Sequence, residues 1–513
     1  MTAASASVPA RAALDEVGRV ETRGVDYIPP GERNSTPKET GIVFFGAQMC
    51  FGIIVLGSLP IVFGLGWWAA FSAISIGTAV GTLLFGPVAA VGPRTGTNSA
   101  VSSGAFFGVV GRVVGSVVVL FIAIGFYALA VWTGGQAVVA GGHRLFGMPE
   151  GNFELAIAFA VIGAITVMVA LVGHATVVVA QKVLAPLLGV LLLIGVLIKL
   201  PDFDAGFAGG DYLLGGFWPT WILSAVTAAG LPLSYGPFAN DYARYLPVGA
   251  ARRGAWTASA GVFAGCWFGM MAAAYFTTMF ADPTGDFVFG MVAGLPTWFA
   301  IPLIIVGLLG GCGQGAIALY GSGLDTSSLI IKLKRVNATL FISIVSLALV
   351  YLGALVWNAI DLVSAFITLL NVVTAPWLVI IIMGHLAVRG RYTPEDLQVF
   401  NARRTGGAYW YNGGWNFYAL TAWLPPVLVG MLLANTPPVL EGPLRNIAGG
   451  VDLSFIVSSA LSFLIYGAFL LLMPDRVLPA RSAERVGSAV IPGPAAPPPL
   501  EATAPVRSEA EVK

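Results

Sequence analysis

Charge is what this sequence has least of. Lys, Arg, Asp and Glu make up 10% of its 513 residues, against about 25% in an ordinary soluble protein. A chain of this length folded in water needs a charged surface, and this one could not cover itself. Histidine and cysteine are scarcer still, three of each. His143, His174 and His385 are scattered, and Cys50, Cys266 and Cys312 all fall inside apolar stretches. Neither a zinc spacing nor a disulfide framework follows from them, and the cysteines read as small packing residues. Paired acids of the kind a membrane-embedded enzyme would need are also missing. The expectations are therefore no enzyme, no metal and no cofactor. A net charge of +1 leaves no basic stripe to neutralise phosphates, which excludes nucleic acid as a partner. Residues 1 to 38 carry Arg11, Asp15, Glu16, Arg19, Glu21 and Arg23 and no apolar h-region. That argues against a secretory signal and leaves the first membrane helix as the targeting signal.

Apolar residues, in contrast, are 57% of the chain. They recur in runs of about 20, long enough to cross about 30 Å of hydrocarbon. The chain reads as an all-α polytopic membrane protein in contact with lipid. About twelve spans are expected, at 40–63, 67–91, 114–140, 153–172, 175–199, 217–243, 254–280, 298–322, 338–357, 359–387, 416–436 and 452–473. Loops after even-numbered spans carry Arg94, Arg112, Arg244, Arg252, Arg253, Lys332, Lys334, Arg335, Arg389, Arg391, Arg403 and Arg404. The odd-numbered loops offer Arg144, Lys199 and Arg445 among many acids. By the positive-inside rule both termini are cytoplasmic. Three parts result: an N-terminal cytoplasmic segment (1–38), largely disordered; a transmembrane domain (39–474); and an Ala/Pro-rich tail (475–513), too poor in apolar residues to fold.

Two spans are interrupted. Span 1 contains Phe44-Phe45-Gly46-Ala47-Gln48-Met49-Cys50-Phe51-Gly52, and span 6 contains Gly230-Leu231-Pro232-Leu233-Ser234-Tyr235-Gly236-Pro237. Hydrocarbon supplies no substitute for a lost backbone hydrogen bond. Paired breaks in corresponding positions therefore point to the binding site of a secondary transporter. If the breaks correspond, the first ten spans divide into repeats of about 39–200 and 217–388. Five spans is an odd number, so the second unit is inverted relative to the first. Spans 11 and 12 (about 416–473) are accessory.

The polar side chains inside these spans are few. Gln48 in span 1 either meets a polar ligand or fastens the bundle. In span 3, Phe126, Ala130 and Thr133 share one helical face, and Trp132 and Gln136 another. A flat ring could lie on Phe126, with Ala130 leaving room beside it. In span 6, Ser234 and Tyr235 follow the break, while Asp241 and Arg244 suit gating or anchoring at the cytoplasmic end. In span 8, Gln314 is the strongly polar side chain of Gly310-Gly311-Cys312-Gly313-Gln314-Gly315. Its amide offers donor and acceptor, as recognition of a nucleobase edge requires. Lys182 in span 5 is expected to snorkel, and Asn371 in span 10 either lines a cavity or binds a neighbouring helix.

Several short motifs, in order, carry a family resemblance. Glu21-Thr22-Arg23-Gly24-Val25-Asp26-Tyr27-Ile28-Pro29-Pro30 precedes span 1, and Gly92-Pro93-Arg94-Thr95-Gly96 follows span 2. Span 6 runs into Ser234-Tyr235-Gly236-Pro237-Phe238-Ala239-Asn240-Asp241-Tyr242-Ala243-Arg244-Tyr245-Leu246-Pro247. Ala375-Pro376-Trp377 and Tyr409-Trp410 through Gly413-Gly414-Trp415-Asn416 come later. Together they resemble the purine–cytosine permease branch of the nucleobase:cation symporter-1 family, over roughly residues 20 to 440. The resemblance implies a leucine-transporter-type 5+5 inverted repeat with broken helices 1 and 6. It also implies import of a nucleobase or related cyclic amide with sodium or protons. Phe126 falls where relatives place a stacking ring, Ala130 where many have an amide, and Gln314 where they have amide or hydroxyl residues.

Two departures stand out. Family members usually have an arginine where this chain has Gly104, at a gating or anchoring contact. In sodium-coupled relatives, span 8 hydroxyls and span 1 carbonyls hold the ion; here the stretch reads Gly311-Cys312-Gly313-Gln314. The expectation is a plasma-membrane symporter of cytosine, a purine or a related planar heterocycle, with protons favoured over sodium. Its substrate-binding residues would be Gln48, Phe126, Leu231, Ser234, Tyr235 and Gln314. Ala47, Cys50 and Gly311 would be the place for a cation, and Arg94, Asp241 and Arg244 would gate or anchor. The alternative is a same-fold transporter of allantoin- or hydantoin-like compounds, amino acids or amines.

Overall fold

A computed structural model describes residues 25–171, 174–329, 335–356 and 359–478. The expected tails beyond residues 25 and 478, and Lys332 and Lys334, lie outside the described residues. Among the described residues, ten helices are long and apolar enough to cross a membrane, and a bent pair, Pro37–Gly46 with Phe51–Val62, makes up to eleven, against about twelve expected. The place of the expected eleventh span holds a shorter apolar helix of 17 residues, Phe417–Leu433. The helices are numbered as spans in chain order, with this one as span 11.

Span 1a (Pro37–Gly46) begins with reciprocal bonds between Thr36 and Glu39. Thr36 Oγ1 accepts from the Glu39 amide at 3.3 Å, and Glu39 Oε2 accepts from the Thr36 amide at 2.9 Å. Such a box satisfies two of the donors that a helix start leaves open. The helix stops at Gly46 because Cys50 is extended, at φ −142° and ψ 153°, and the chain resumes as span 1b (Phe51–Val62) bent by 74°. Gln48 repairs the break. Its backbone N–H bonds to Phe45 O at 3.1 Å, leaving Phe44 O without its usual partner four residues on. The Gln48 side-chain Nε2 donates to that same Phe44 O at 3.0 Å.

Span 6 is interrupted more gently than its sequence suggests. One helix runs from Phe217 through Gly230 and Pro232 to Ser234. A 3-10 turn at Gly236–Phe238 then joins it to Ala239–Ala243. Span 8 is irregular too, with Ala300–Ile305 passing through a π-helical turn, Val306–Gly310, into Gly311–Leu329. Such turns shift side chains around the helix axis and are frequent at functional sites.

The spans pack in two groups. Span 1a lies on span 7 (Ala251–Thr277), and span 2 (Trp67–Ala89) on spans 6 and 7. Span 3 (Val113–Phe146), span 4 (Asn152–Leu171), span 8 and span 9 (Arg335–Leu355) pack together. Span 5 (His174–Ile198) borders span 1a, and span 10 (Ala359–Ala387) joins span 6 to span 11 (Phe417–Leu433) and span 12 (Ser454–Leu472). Small residues set the closest crossings, as expected where lipid offers no driving force for apolar contact. A Cβ on Gly77 or Gly81 of span 2 would overlap the carbonyls of Ala225 and Ala229 in span 6. The segment between spans 2 and 3, expected as a loop, contains a buried helix, Ser99–Phe107, capped by Asn98 Oδ1 on the Val101 amide at 3.1 Å.

Candidate substrate site

Spans 3, 6 and 8 meet around a small cavity. Span 3 supplies Ile122 and Phe126, span 6 supplies Ser234, Tyr235 and Phe238, and span 8 supplies Gln314, Ile317 and Ala318. Four of the expected binding residues, Phe126, Ser234, Tyr235 and Gln314, are therefore brought together. The space left is about 10 Å³, at the limit of what one water needs. A planar ligand enters only if these side chains move apart.

Two hydroxyls and the Gln314 amide oxygen are already engaged. The Tyr235 hydroxyl donates to Gln314 Oε1 at 2.7 Å and lies 3.4 Å from the Ala47 carbonyl at the span 1 break. The Ser234 hydroxyl donates to the Leu231 carbonyl at 2.6 Å. Phe366 in span 10 packs edge-to-face with Phe126, ring centroids 5.6 Å apart and planes inclined by 77°. One phenyl face and one amide–hydroxyl pair are thus the recognition elements that this cavity offers.

Two expected binding residues do not line the cavity. Gln48 is fully buried next to the Tyr235 side chain, with its Nε2 on Phe44 O and its Oε1 accepting from the Cys266 thiol of span 7 at 3.2 Å. Leu231 is buried within unbroken helix, and its carbonyl is held by Ser234. Helical continuity through Pro232 is the reason: residues 231–234 do not open. The span 3 question is resolved as well. Phe126 faces the cavity, whereas Ala130 packs its backbone 3.2 Å from a Cβ position on Gly52 of span 1b. Trp132 lines a separate apolar cavity of about 230 Å³ with Leu129, Gly353 and Phe366. Gln136 Nε2 donates to Asp286 Oδ2, on the short helix Phe287–Gly294. Burial holds the Asp286 carboxyl above the usual carboxylate range, although Phe289 N–H, Gln136 and Val288 N–H all bond to it.

Of the residues expected near a cation, Ala47 offers its carbonyl to Tyr235, and Cys50 is a buried thiol. Gly310, one residue before the expected Gly311, packs on Met49 and Cys50; Gly311 faces the Ala130 carbonyl of span 3. Lys182 does not simply reach for the interface but pairs with Glu39 at 2.6 Å. Asn371 binds a neighbouring helix, donating to Val226 O of span 6 at 2.8 Å.

The arginine-rich end of the molecule is tied across spans by buried polar groups. Asp241 accepts from the Ser99 amide at 3.3 Å, and Asn98 Nδ2 donates to Asp325 of span 8 at 2.7 Å. Arg244 donates to Tyr320 of span 8 at 3.3 Å and lies over the Tyr245 ring at 5.1 Å. Arg94 reaches His385 of span 10 at 2.6 Å, and His385 in turn meets Tyr392 at 2.6 Å. Beside Gly104, the space is taken by Arg112, whose Cβ and Cδ would lie 3.8 and 3.9 Å from a Cβ there. The Arg112 guanidinium itself donates to Asn401 Oδ1 and lies over the Phe400 ring at 4.9 Å. Asp325 and Asn98 were not singled out by the sequence, and Arg112 was counted there only as a loop charge.

Comparison with known proteins agrees with this architecture. The profile of a family described as permeases for cytosine/purines, uracil, thiamine and allantoin matches residues 27–458. The chain belongs to the nucleobase:cation symporter-1 family. The putative purine-cytosine permease YxlA of Bacillus subtilis (strain 168) is 28% identical over 482 residues, covering 92% of this chain and 100% of that protein. Among solved structures, the family transporter Mhp1, closed with bromovinylhydantoin bound, superposes with a TM-score of 0.68 at 19% identity. That match covers 91% of this chain and all of Mhp1. A sodium-coupled sialic acid symporter gives 0.56 at 12% identity, covering 86% of this chain and 91% of its own. The fold is therefore the leucine-transporter type expected from the sequence, and the chain is an integral membrane transporter.

Proposed function

We propose that this family member imports a nucleobase, cytosine or a purine first, or a related planar cyclic amide, across the plasma membrane. Both termini face the cytoplasm, and the driving ion is a proton in preference to sodium. The observation that carries the substrate reading is the composition of the cavity: a phenyl face on span 3 opposite an amide–hydroxyl pair on spans 6 and 8. A flat ring stacks on Phe126, and its amide edge takes over the bonds that Tyr235 and Gln314 make to each other. The cost of parting that pair is offset only by a ligand with a donor and an acceptor on one edge, which favours nucleobases over amines. The 28% identity to a putative purine-cytosine permease supports the same class. Allantoin- or hydantoin-like compounds share the cyclic amide and form the second reading, supported by the fold shared with hydantoin-bound Mhp1.

Uptake of radiolabelled cytosine, adenine, uracil and allantoin by permease-deficient cells expressing the chain tests this. At least one should accumulate, and a protonophore should abolish the accumulation. Failure of all four, or accumulation that survives collapse of every ion gradient, overturns the symport reading.

A further inference from the structure

Behind span 2 lies a short helix, Gly92–Thr95, which is fastened to the end of span 6: Asn240 Oδ1 accepts from the Gly92 N–H at 2.8 Å. Its Arg94 crosses from there to the end of span 10. The guanidinium lies on the turn that follows that span, where a Cβ on Gly390 would stand 2.2 Å from Arg94 Nη1. Gly390 has φ 67°, and its N–H donates to His385 O at 3.1 Å. Glycine at this position thus makes the turn and leaves the seat for the guanidinium.

What Arg94 meets in that seat is a histidine. Its Nη1 lies 2.6 Å from His385 Nε2, and His385 Nδ1 lies 2.6 Å from the Tyr392 hydroxyl, with the two rings stacked at 5.8 Å and 24°. His385 is buried. A guanidinium only donates, so Nε2 must offer its lone pair, and the neutral imidazole then carries its one proton on Nδ1, facing Tyr392. A proton on Nε2 would turn that acceptor into a donor and set an imidazolium against a guanidinium. Among the described residues neither Arg94 nor His385 contacts a carboxylate that could offset two cations. The helix Ser99–Phe107 brings the uncharged Phe106 ring against Gly384, while Tyr409 and Tyr466 of span 12 stand near the Tyr392 phenol. Glu395 and Asp396 stand by Tyr409, and Asp396 Oδ2 accepts from the Ala408 N–H at 2.9 Å. Arg389 and Arg391, on the turn itself, are exposed and add positive charge only.

We propose that His385 is a proton-binding site, and that a proton on its Nε2 displaces Arg94 and unfastens the helix behind span 2 from the end of span 10. Histidine is the side chain whose ordinary proton affinity falls close to neutral pH. With the arginine-rich end in the cytoplasm, the protons sensed are cytoplasmic, and a symporter that brings protons in loosens this tie as the cell acidifies. That feedback rests on the proton-symport reading; the site itself does not.

The chain has three histidines, few enough to be followed one by one. The test is solid-state NMR of the full-length protein in lipid nanodiscs, isotope-labelled at its histidine nitrogens, with His385→Gln identifying the His385 signals. At mildly alkaline pH His385 should carry its proton on Nδ1 and leave Nε2 bare. On acidification it should become imidazolium, and in Arg94→Gln it should do so at about tenfold lower proton concentration, because the neighbouring cation is gone. A proton on Nε2 at alkaline pH, or the same titration midpoint with and without Arg94, overturns the proposal. Should Arg94→Gln not fold, unfolding temperature decides. His385→Gln keeps an acceptor for Arg94 and a donor for Tyr392 but does not titrate. The bridge takes neutral imidazole only, whereas the unfolded chain takes the proton freely. The wild type should therefore lose more stability than His385→Gln as pH falls through about 6.5, the ordinary histidine value; parallel pH curves refute the site. No readout uses a nucleobase or an ion gradient, so failure of uptake removes the symport reading and leaves the His385 result standing.

Discussion

The bond between Tyr235 and Gln314 makes a sharp prediction because its two halves are not equivalent. Tyr235→Phe removes the hydroxyl that donates to Gln314 Oε1 at 2.7 Å in a small, buried cavity. A buried acceptor left without a partner costs about 1–3 kcal/mol. In Gln314→Leu, by contrast, the Tyr235 hydroxyl can still turn to the Ala47 carbonyl, 3.4 Å away, so the loss should stay below about 1 kcal/mol. The double variant removes donor and acceptor together and replaces them with apolar groups. It should be no less stable than Tyr235→Phe alone, giving a coupling of about 0.5–3 kcal/mol. Equilibrium unfolding of the four purified proteins in mixed micelles reads these differences. Substrate binding should follow the opposite order. Gln314→Leu deletes the recognition amide and should weaken nucleobase binding at least about tenfold, equivalent to about 1.4 kcal/mol. Tyr235→Phe should cost less, because it also spares the ligand from having to break the bond. Additive stabilities, or a Gln314→Leu protein that binds as tightly as the wild type, would refute the reasoning.

Three further outcomes are expected. Phe126→Leu keeps the apolar volume but removes the ring, and base–aromatic stacking is worth about 1–3 kcal/mol; equilibrium binding should weaken by roughly 5- to 150-fold, and Phe126→Tyr should recover most of it. At Asp286 the carboxyl is held above its ordinary value by burial, so the folded state prefers the protonated form. Its contribution to stability is present below the unfolded value near about 3.9 and is lost as pH rises through the folded pKa. Asp286→Asn should flatten that dependence in a pH series of unfolding. At neutral pH it should stabilise by about 0.5–1.5 kcal/mol, since an Asn Nδ2 can donate to Gln136 Oε1, which has no partner among the described residues. Gly77→Ala drives a methyl into the Ala225 carbonyl, and overpacking of that kind costs about 1–3 kcal/mol; the yield of folded protein by size-exclusion chromatography should fall.

Much of this protein was legible as a string of residues. Hydrocarbon demands runs of about 20 apolar residues, so the position and order of most membrane-length helices follow directly from composition. The break in span 1 was legible for the same reason, since Gly46 and the polar Gln48 interrupt an otherwise apolar run. Phe126, Ser234, Tyr235 and Gln314 could be named because polar or aromatic residues beside helix breaks are few. What those breaks do was not legible. Gly230 and Pro232 look like a stronger interruption than Gly46, yet span 6 remains helical to Ser234.

Tertiary structure alone decided which partner each polar group takes. Gln48 looks identical, as a sequence letter, whether it meets a ligand or repairs Phe44 O; only the 74° bend of span 1 leaves that carbonyl open. Gln181 of span 5 stands beside Lys182 in the sequence, and only the fold brings Gly46 of span 1 and Gly313 of span 8 against it. Arg112 takes the space beside Gly104 because a short helix folds span 3 back against it. Periodicity and composition fix which residues leave water, since burial of apolar surface has no direction. Hydrogen bonds have direction and a reach of about 3 Å, so their pairing exists only once the helices have crossed.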